Sequence, residues 1–242
     1  MTPDIVDIRA FYSTPLGDVA RRLVGRVLRA RWESCVGLTV LGLGYAPPYL
    51  ERFRDESMRV MAAMPAEQGV VNWPAEGASR AVLVETDALP FPDGSIDRLL
   101  IVHALETAER PRDLLAEAWR ALTPGGRMIV VAPARGGLWS RSERTPFGSG
   151  QPYSRKQIYD LMRETLFSPI FSGEALYGAP SQGGFALRTA TAFERFGARF
   201  SLPGAGVLVV EATKQLYRPV GFARRRLPRF APAAALAAPR AK

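Results

Sequence analysis

The sequence predicts a doubly wound α/β fold, a mostly parallel sheet with helices on both faces. Three observations lead there. Short aliphatic and β-branched runs alternate with segments of helical periodicity, the order that builds strand–helix–strand crossovers. The first clear run, Leu38–Leu43, meets a glycine at Gly44, as a strand does before a ligand-binding turn. Finally, 242 residues that are 47% hydrophobic and 23% charged can bury one sizeable core.

In chain order, residues 1–33 form an N-terminal helical segment. Leu16, Val19, Leu23 and Val27 recur at helical spacing, with Arg22, Arg26 and Arg29 on the opposite, solvated side. After Leu38–Leu43 and Gly44, Pro48 suits the first turn of a short helix. "RAVLVE", Arg80–Glu85, reads as a buried strand, and "DRLLIV", Asp97–Val102, as another. Leu114, Leu115, Ala118 and Leu122 mark the inner face of a helix over Pro111–Leu122, which Pro124-Gly125-Gly126 stops. "RMIVVA", Arg127–Ala132, is a further strand. Arg135–Pro152 reads as a long ordered loop or lid. Ser154 caps a helix running to about Phe167, a second covers Phe185–Phe196, and Gly206–Thr213 is the last strand. One domain over 1–219 accommodates all of this, with 135–200 on the substrate side.

Composition excludes several classes. A single cysteine, Cys35, forbids an intramolecular disulfide, and a single histidine, His103, forbids a Cys/His zinc site; no metal is expected. The start "MTPDIVDIRAFY" lacks a basic-then-apolar leader, and no apolar run reaches the ~18 residues of a membrane span. A cytoplasmic setting is the simplest expectation. Net charge is +9, but six of those charges lie in 220–242 with no acid among them, leaving +3 on the remainder. This Ala/Pro/Arg-rich tail is expected to be a solvated, disordered extension; attraction to nucleic acid, anionic lipid or an acidic partner is the alternative.

Ligands of open α/β sheets bind beyond the carboxyl ends of the strands, where strand order reverses. That singles out Gly44–Pro48, Thr86–Phe91, His103–Glu106 and Pro133–Phe147. Two of these segments lie in the text "ETDALPFPDGSIDRLLIVHALETAERPRDLLAEAWRALTPGGRMIVVAPA", Glu85–Ala134. It carries, in order, an acid-plus-small pair, a "LPFPDGSID" turn, an apolar strand ending in "HALE", a helix, "LTPGG" and another strand. Together with the upstream strand and glycine, Leu38–Ala134 resembles the class I S-adenosylmethionine-dependent methyltransferases.

The resemblance implies a Rossmann-like methyltransferase fold, S-adenosyl-L-methionine as cofactor, and methyl transfer to an acceptor that the motifs do not identify. It puts Asp87 and Ala88 at the adenine ring, with the carboxylate accepting from the exocyclic amine; an aspartate here could instead cap its own turn. Leu89 is expected to wall the adenine pocket. Gly42, Gly44 and Tyr45 form the cofactor loop. His103 is a semi-buried structural histidine or a cofactor or substrate contact, and a general base in the second case. Glu106 matches the carboxylate of "HALE", on the substrate side.

The glycine loop departs from the family pattern. Gly42 stands where the acid for the cofactor's amino group is expected, and Ala46 and Pro48 replace later glycines. Pro47 and Pro48 donate no N–H. Glu67, Gln68 and Glu85 are candidates to compensate. This departure motivates the alternative of a non-catalytic binding or regulatory protein on the same scaffold. A dinucleotide-binding fingerprint fits poorly, since its third glycine is missing. Between Arg135 and Lys156 five basic residues, Arg141 and Arg144 among them, face Glu143 alone, with Trp139, Phe147 and Tyr153 interleaved. An anionic small-molecule or nucleic-acid acceptor would suit such a roof; a basic loop anchored by its aromatics is the other reading.

Overall fold

The computed structural model describes residues 3–200 and 204–215; the basic tail 220–242 lies outside them. Helices α1 (Ile5–Tyr12) and α2 (Pro15–Arg31) lead into β1 (Thr39–Gly44), α3 (Pro47–Leu50), β2 (Arg59–Pro65), β3 (Ala81–Val84) and β4 (Ile96–Val102). Then follow α4 (Pro111–Ala121), β5 (Leu122–Pro133), α5 (Arg155–Glu164), β6 (Phe167–Ala175), α6 (Gly184–Phe200) and β7 (Val207–Lys214). Among the described residues these strands make one sheet in the order β3-β2-β1-β4-β5-β7-β6. It is parallel from β3 through β5, with Leu41 opposite Met61 on one side and Leu99 on the other. β7 runs antiparallel between β5 and β6.

Period-two alternation sends successive strand residues to opposite faces. Val40, Leu100 and Val102 pack with α1, α2 and α3. Leu41, Leu43, Leu99 and Ile101 pack with α4 and α5. All six residues of β1 are buried, as expected of a central strand covered on both sides. Strand order reverses between β1 and β4, so the crevice above Gly44 is the topological switch point.

Two fastenings hold the N-terminal helices. At the far end of α2, Arg31 Nε donates to Glu211 Oε2 at 2.6 Å and Trp32 Nε1 to Glu211 Oε1 at 3.2 Å. Glu211 is fully buried on β7, so these bonds make its burial tolerable. At the near end only Ser13 and Thr14 separate the helices, and a Cβ on Gly17 would lie 2.1 Å from the Phe11 carbonyl oxygen. Thr14 closes the corner, its hydroxyl donating to Phe11 O at 2.7 Å and accepting from Gly17 N at 3.0 Å.

The structure corrects the sequence reading in four places. β3 is an edge strand rather than a buried one, with Leu83 48% exposed, because β2 takes the position beside β1. β2 itself, "RVMAAMP", is alanine-rich and lacks the β-branched run that marks β1 and β4. β5 begins at Leu122, so Pro124-Gly125-Gly126 lies within an irregular strand start, where pairing with β4 shifts register. β6 contains Pro169 and Gly173, residues that argue against a strand. It tolerates them because it is an edge strand with a register shift at Pro169/Phe171.

Candidate active site at the carboxyl edge of the sheet

Gly44 ends β1 with φ +85°, and a Cβ there would lie 2.1 Å from the Val102 carbonyl oxygen. Only glycine allows this turn beside β4. Gly42 is required for another reason: a Cβ would meet Ala46 Cβ at 2.5 Å and Leu50 Cδ1 at 2.7 Å. Its face is the seat of α3.

His103 follows β4 directly and has φ +55°, a left-handed conformation that costs a non-glycine residue about 1–3 kcal/mol. Its ring is 1% exposed. Nδ1 lies 3.2 Å from Glu106 Oε1 and Nε2 lies 2.9 Å from the Tyr12 hydroxyl. In the tautomer in which Nδ1 donates to Glu106, Nε2 is free to accept from the Tyr12 hydroxyl. The Tyr12 oxygen in turn lies 3.0 Å from the Tyr49 hydroxyl. Burial raises the phenol pKa of both tyrosines; for Tyr12 the neighbouring Tyr49 and Glu106 raise it further.

The backbone of this corner is held from three directions. Gln68, beyond β2, reaches across the end of β1 and donates from Nε2 to the His103 carbonyl at 2.5 Å and to Thr107 Oγ1 at 3.0 Å. From the segment after β5, Gln151 N donates to Glu106 O at 2.7 Å and Tyr153 OH to Leu105 O at 3.1 Å. Phe147 from the same segment packs its ring 4.6 Å from that of His103, and Trp139 stands edge-on to Phe147 at 5.7 Å. The lid is therefore ordered, and its aromatics are anchors.

Asp87 lies exposed in the turn after β3, one carboxylate oxygen paired with the Arg110 guanidinium. Ala88 N donates to Glu85 O at 3.2 Å. Leu89 is buried, its N–H donating to Glu117 Oε2 at 3.0 Å and its carbonyl accepting from Arg120 Nη2 at 2.9 Å. Arg120 also donates to Phe91 O at 2.8 Å and Asp93 Oδ1 at 2.6 Å, so one side chain of α4 shapes the whole "LPFPD" turn. Tyr45 is buried and stacks on Tyr12 with centroids 5.6 Å apart.

The predicted residues thus fall into two groups. His103, Glu106, Gly44 and Tyr45 converge above β1, joined by Tyr12, Tyr49 and Gln68. Asp87, Ala88 and Leu89 form an open edge beyond β3. Arg141 and Arg144 are exposed. Arg144 lines a shallow groove with Asp4, Asp7, Glu67 and Glu143, where acids outnumber it. Tyr12 and Tyr49 carry no local motif; only the fold brings them to the histidine.

S-adenosylmethionine is the group this fold implies, and the donor set can be tested against it. Gln68 Oε1 and Glu106 Oε2 are buried without a hydrogen-bond partner among the described residues. Two orphaned acceptors beside one histidine suit a cationic amino group, the charge that an acid at position 42 would otherwise meet. The open Asp87–Leu89 edge suits a purine. The chemistry fits; at the β1 end the crevice is occupied by Tyr12 and Tyr45, whose rings stack. Among the described residues no cluster of three His, Cys, Asp or Glu is placed to hold a metal ion, and no helix is long and apolar enough to cross a membrane.

Comparison with known proteins agrees with this fold. Residues 25–130 match the family described as "Methyltransferase domain". The demethylmenaquinone methyltransferase of Thermus thermophilus is 32% identical over 165 residues, covering 64% of this chain and 67% of that one. The chain belongs to the class I S-adenosylmethionine-dependent methyltransferase family. A second methyltransferase relative, the ubiquinone/menaquinone biosynthesis C-methyltransferase of Paracoccus denitrificans, is 42% identical over 117 residues. That match covers 48% of this chain and only 38% of the relative's length. Among solved methyltransferases, one from Thermotoga maritima shares the fold at a TM-score of 0.60 and 16% identity, over 86% of this chain and 94% of its own.

Proposed function

We propose that the chain transfers a methyl group from S-adenosylmethionine to a small-molecule acceptor, with His103 taking a proton from that acceptor. One observation carries this reading: a buried imidazole at the switch point, gripped by a carboxylate on Nδ1, meets a phenol hydroxyl at Nε2. Tyr12 occupies the position at which an acidic acceptor group would be deprotonated. When bound, the cofactor supplies the methyl group on an already activated sulfonium, so alignment provides much of the acceleration.

Asp87 and the Ala88 backbone would hold the adenine against Leu89. Gln68 and Glu106 would receive the amino group, and Glu106 would stabilise the imidazolium formed at His103. The name of the Paracoccus relative, a C-methyltransferase, supports a carbon acceptor, and a neighbouring acidic hydroxyl would account for the base. Tyr12 must withdraw first. The unit doing this is read as 1–219, in a reducing cytoplasm.

The alternative, a non-catalytic binding protein on the same scaffold, is favoured by the crevice being occupied at its β1 end and by Gly42 in place of the acid. Calorimetric titration of S-adenosylmethionine and S-adenosylhomocysteine separates the two. Micromolar binding that weakens at least tenfold in Asp87→Ala is expected. Absence of binding at millimolar ligand, in both wild type and Tyr12→Ala, would reject methyl transfer.

A further inference from the structure

We infer that the pocket between α2 and α6 is a binding site for a neutral apolar molecule of about ten carbon atoms, separate from the crevice at His103. The pocket has a volume of about 280 Å³ and is walled by Leu16, Val19 and Leu23 of α2, Leu187 and Ala190 of α6, and the ring of Trp139. It is a partly open cleft whose described lining is mainly apolar, with Tyr177, Ser181 and Thr189 as its polar side chains. An apolar cavity of about 150 Å³ accommodates benzene, and in proportion this one takes a fused bicyclic ring.

The described walls leave room for a guest. Ala186 and Ala190 lie one turn apart on α6, and both line the pocket with only a methyl group. The polar groups at the rim are turned to partners in the protein. Trp139 Nε1 donates to Gly178 O at 2.7 Å, and Tyr177 OH to Glu174 Oε2 at 3.2 Å. The corner at Leu176 has φ +66°, a conformation a leucine adopts only when held. The buried Glu194 of α6 holds it, accepting from Leu176 N and from Tyr177 N at 3.1 Å each. A charged ligand would have to shed its water against this lining without a counter-charge, which selects a neutral one. Trp139 and Phe147 stand between the pocket and His103. The site therefore does not depend on whether the crevice binds cofactor.

Calorimetric titration of the full chain with naphthalene tests this. Saturable binding of one molecule per chain is expected, with 1-naphthalenesulfonate binding at least tenfold more weakly. Ala190→Phe fills the pocket and should weaken naphthalene binding at least tenfold, while S-adenosylhomocysteine titration is unchanged. Ala186→Leu fills it from the same helix and decides the matter if the first variant does not fold. No saturable binding up to the solubility limit of naphthalene overturns the inference. So does equal affinity in a folded filled variant, or equal affinity for the sulfonate.

Discussion

At the scale of single residues, His103 concentrates the cost and the purpose of the site. A left-handed backbone and a fully buried ring are expensive together, and Gln68, Glu106 and Tyr12 are what keep them. His103→Gln should lower methyl transfer by about 10²–10⁴-fold, the usual contribution of a general base, with cofactor affinity nearly unchanged; steady-state kinetics beside calorimetry checks both. Tyr12→Ala should instead strengthen S-adenosylhomocysteine binding, since it empties the space above Gly44. Position 42 yields a less obvious expectation. Restoring the family's acid by Gly42→Asp should destabilise the fold without improving cofactor binding, because Leu50 and Ala46 already occupy the place of its Cβ. Denaturant unfolding and titration of the same variant test it. The sequence displayed this departure plainly, but not its cause: no periodicity places Leu50 of α3 against Gly42.

Among elements, α4 governs the adenine edge through two side chains. Hydrogen bonding to Arg120, with a smaller effect of Leu89 N–H, lowers the Glu117 carboxyl pKa below its ordinary value. A depressed folded-state value means that this contribution is present at neutral pH and is lost as pH falls through the folded pKa. Urea unfolding of Glu117→Gln from pH 7 to pH 3 should therefore show a flatter acid limb than wild type; identical limbs would reject the linkage. The capping box of α5, in which Ser154 accepts from Gln157 N and Gln157 from Ser154 N, should cost about 1 kcal/mol on Ser154→Ala. That cap was legible from sequence, as were β1, β4, α2 and α4, where caps, prolines and burial agree. β6 was not, since its proline and glycine are tolerable only at a sheet edge, a fact set by strand order. The tyrosines facing His103 were equally hidden, because they come from α1 and α3 while the histidine ends β4.

For the whole molecule, the sheet divides labour between its faces. α4 and α5 fix the turns from one side, while the α1–α2 layer covers the crevice from the other. The charge divides as well: six of the nine net positive charges fall in 220–242. If that tail recruits a polyanion, RNA binding should weaken steeply with salt and disappear on deletion of 220–242, leaving cofactor titration unaffected. The corner at Gly17 sets the tempo of whatever the crevice does. The last carbonyls of α1 abut α2, and α2 is tied at its other end to Glu211, so the two helices are expected to move as one layer. Unravelling of α1 is then the expected route by which Tyr12 leaves. Admission of a guest would then be metered by spontaneous melting of eight residues, capturing slowly and accelerating sharply on warming, in step with deuterium uptake by the amides of Ile5–Tyr12.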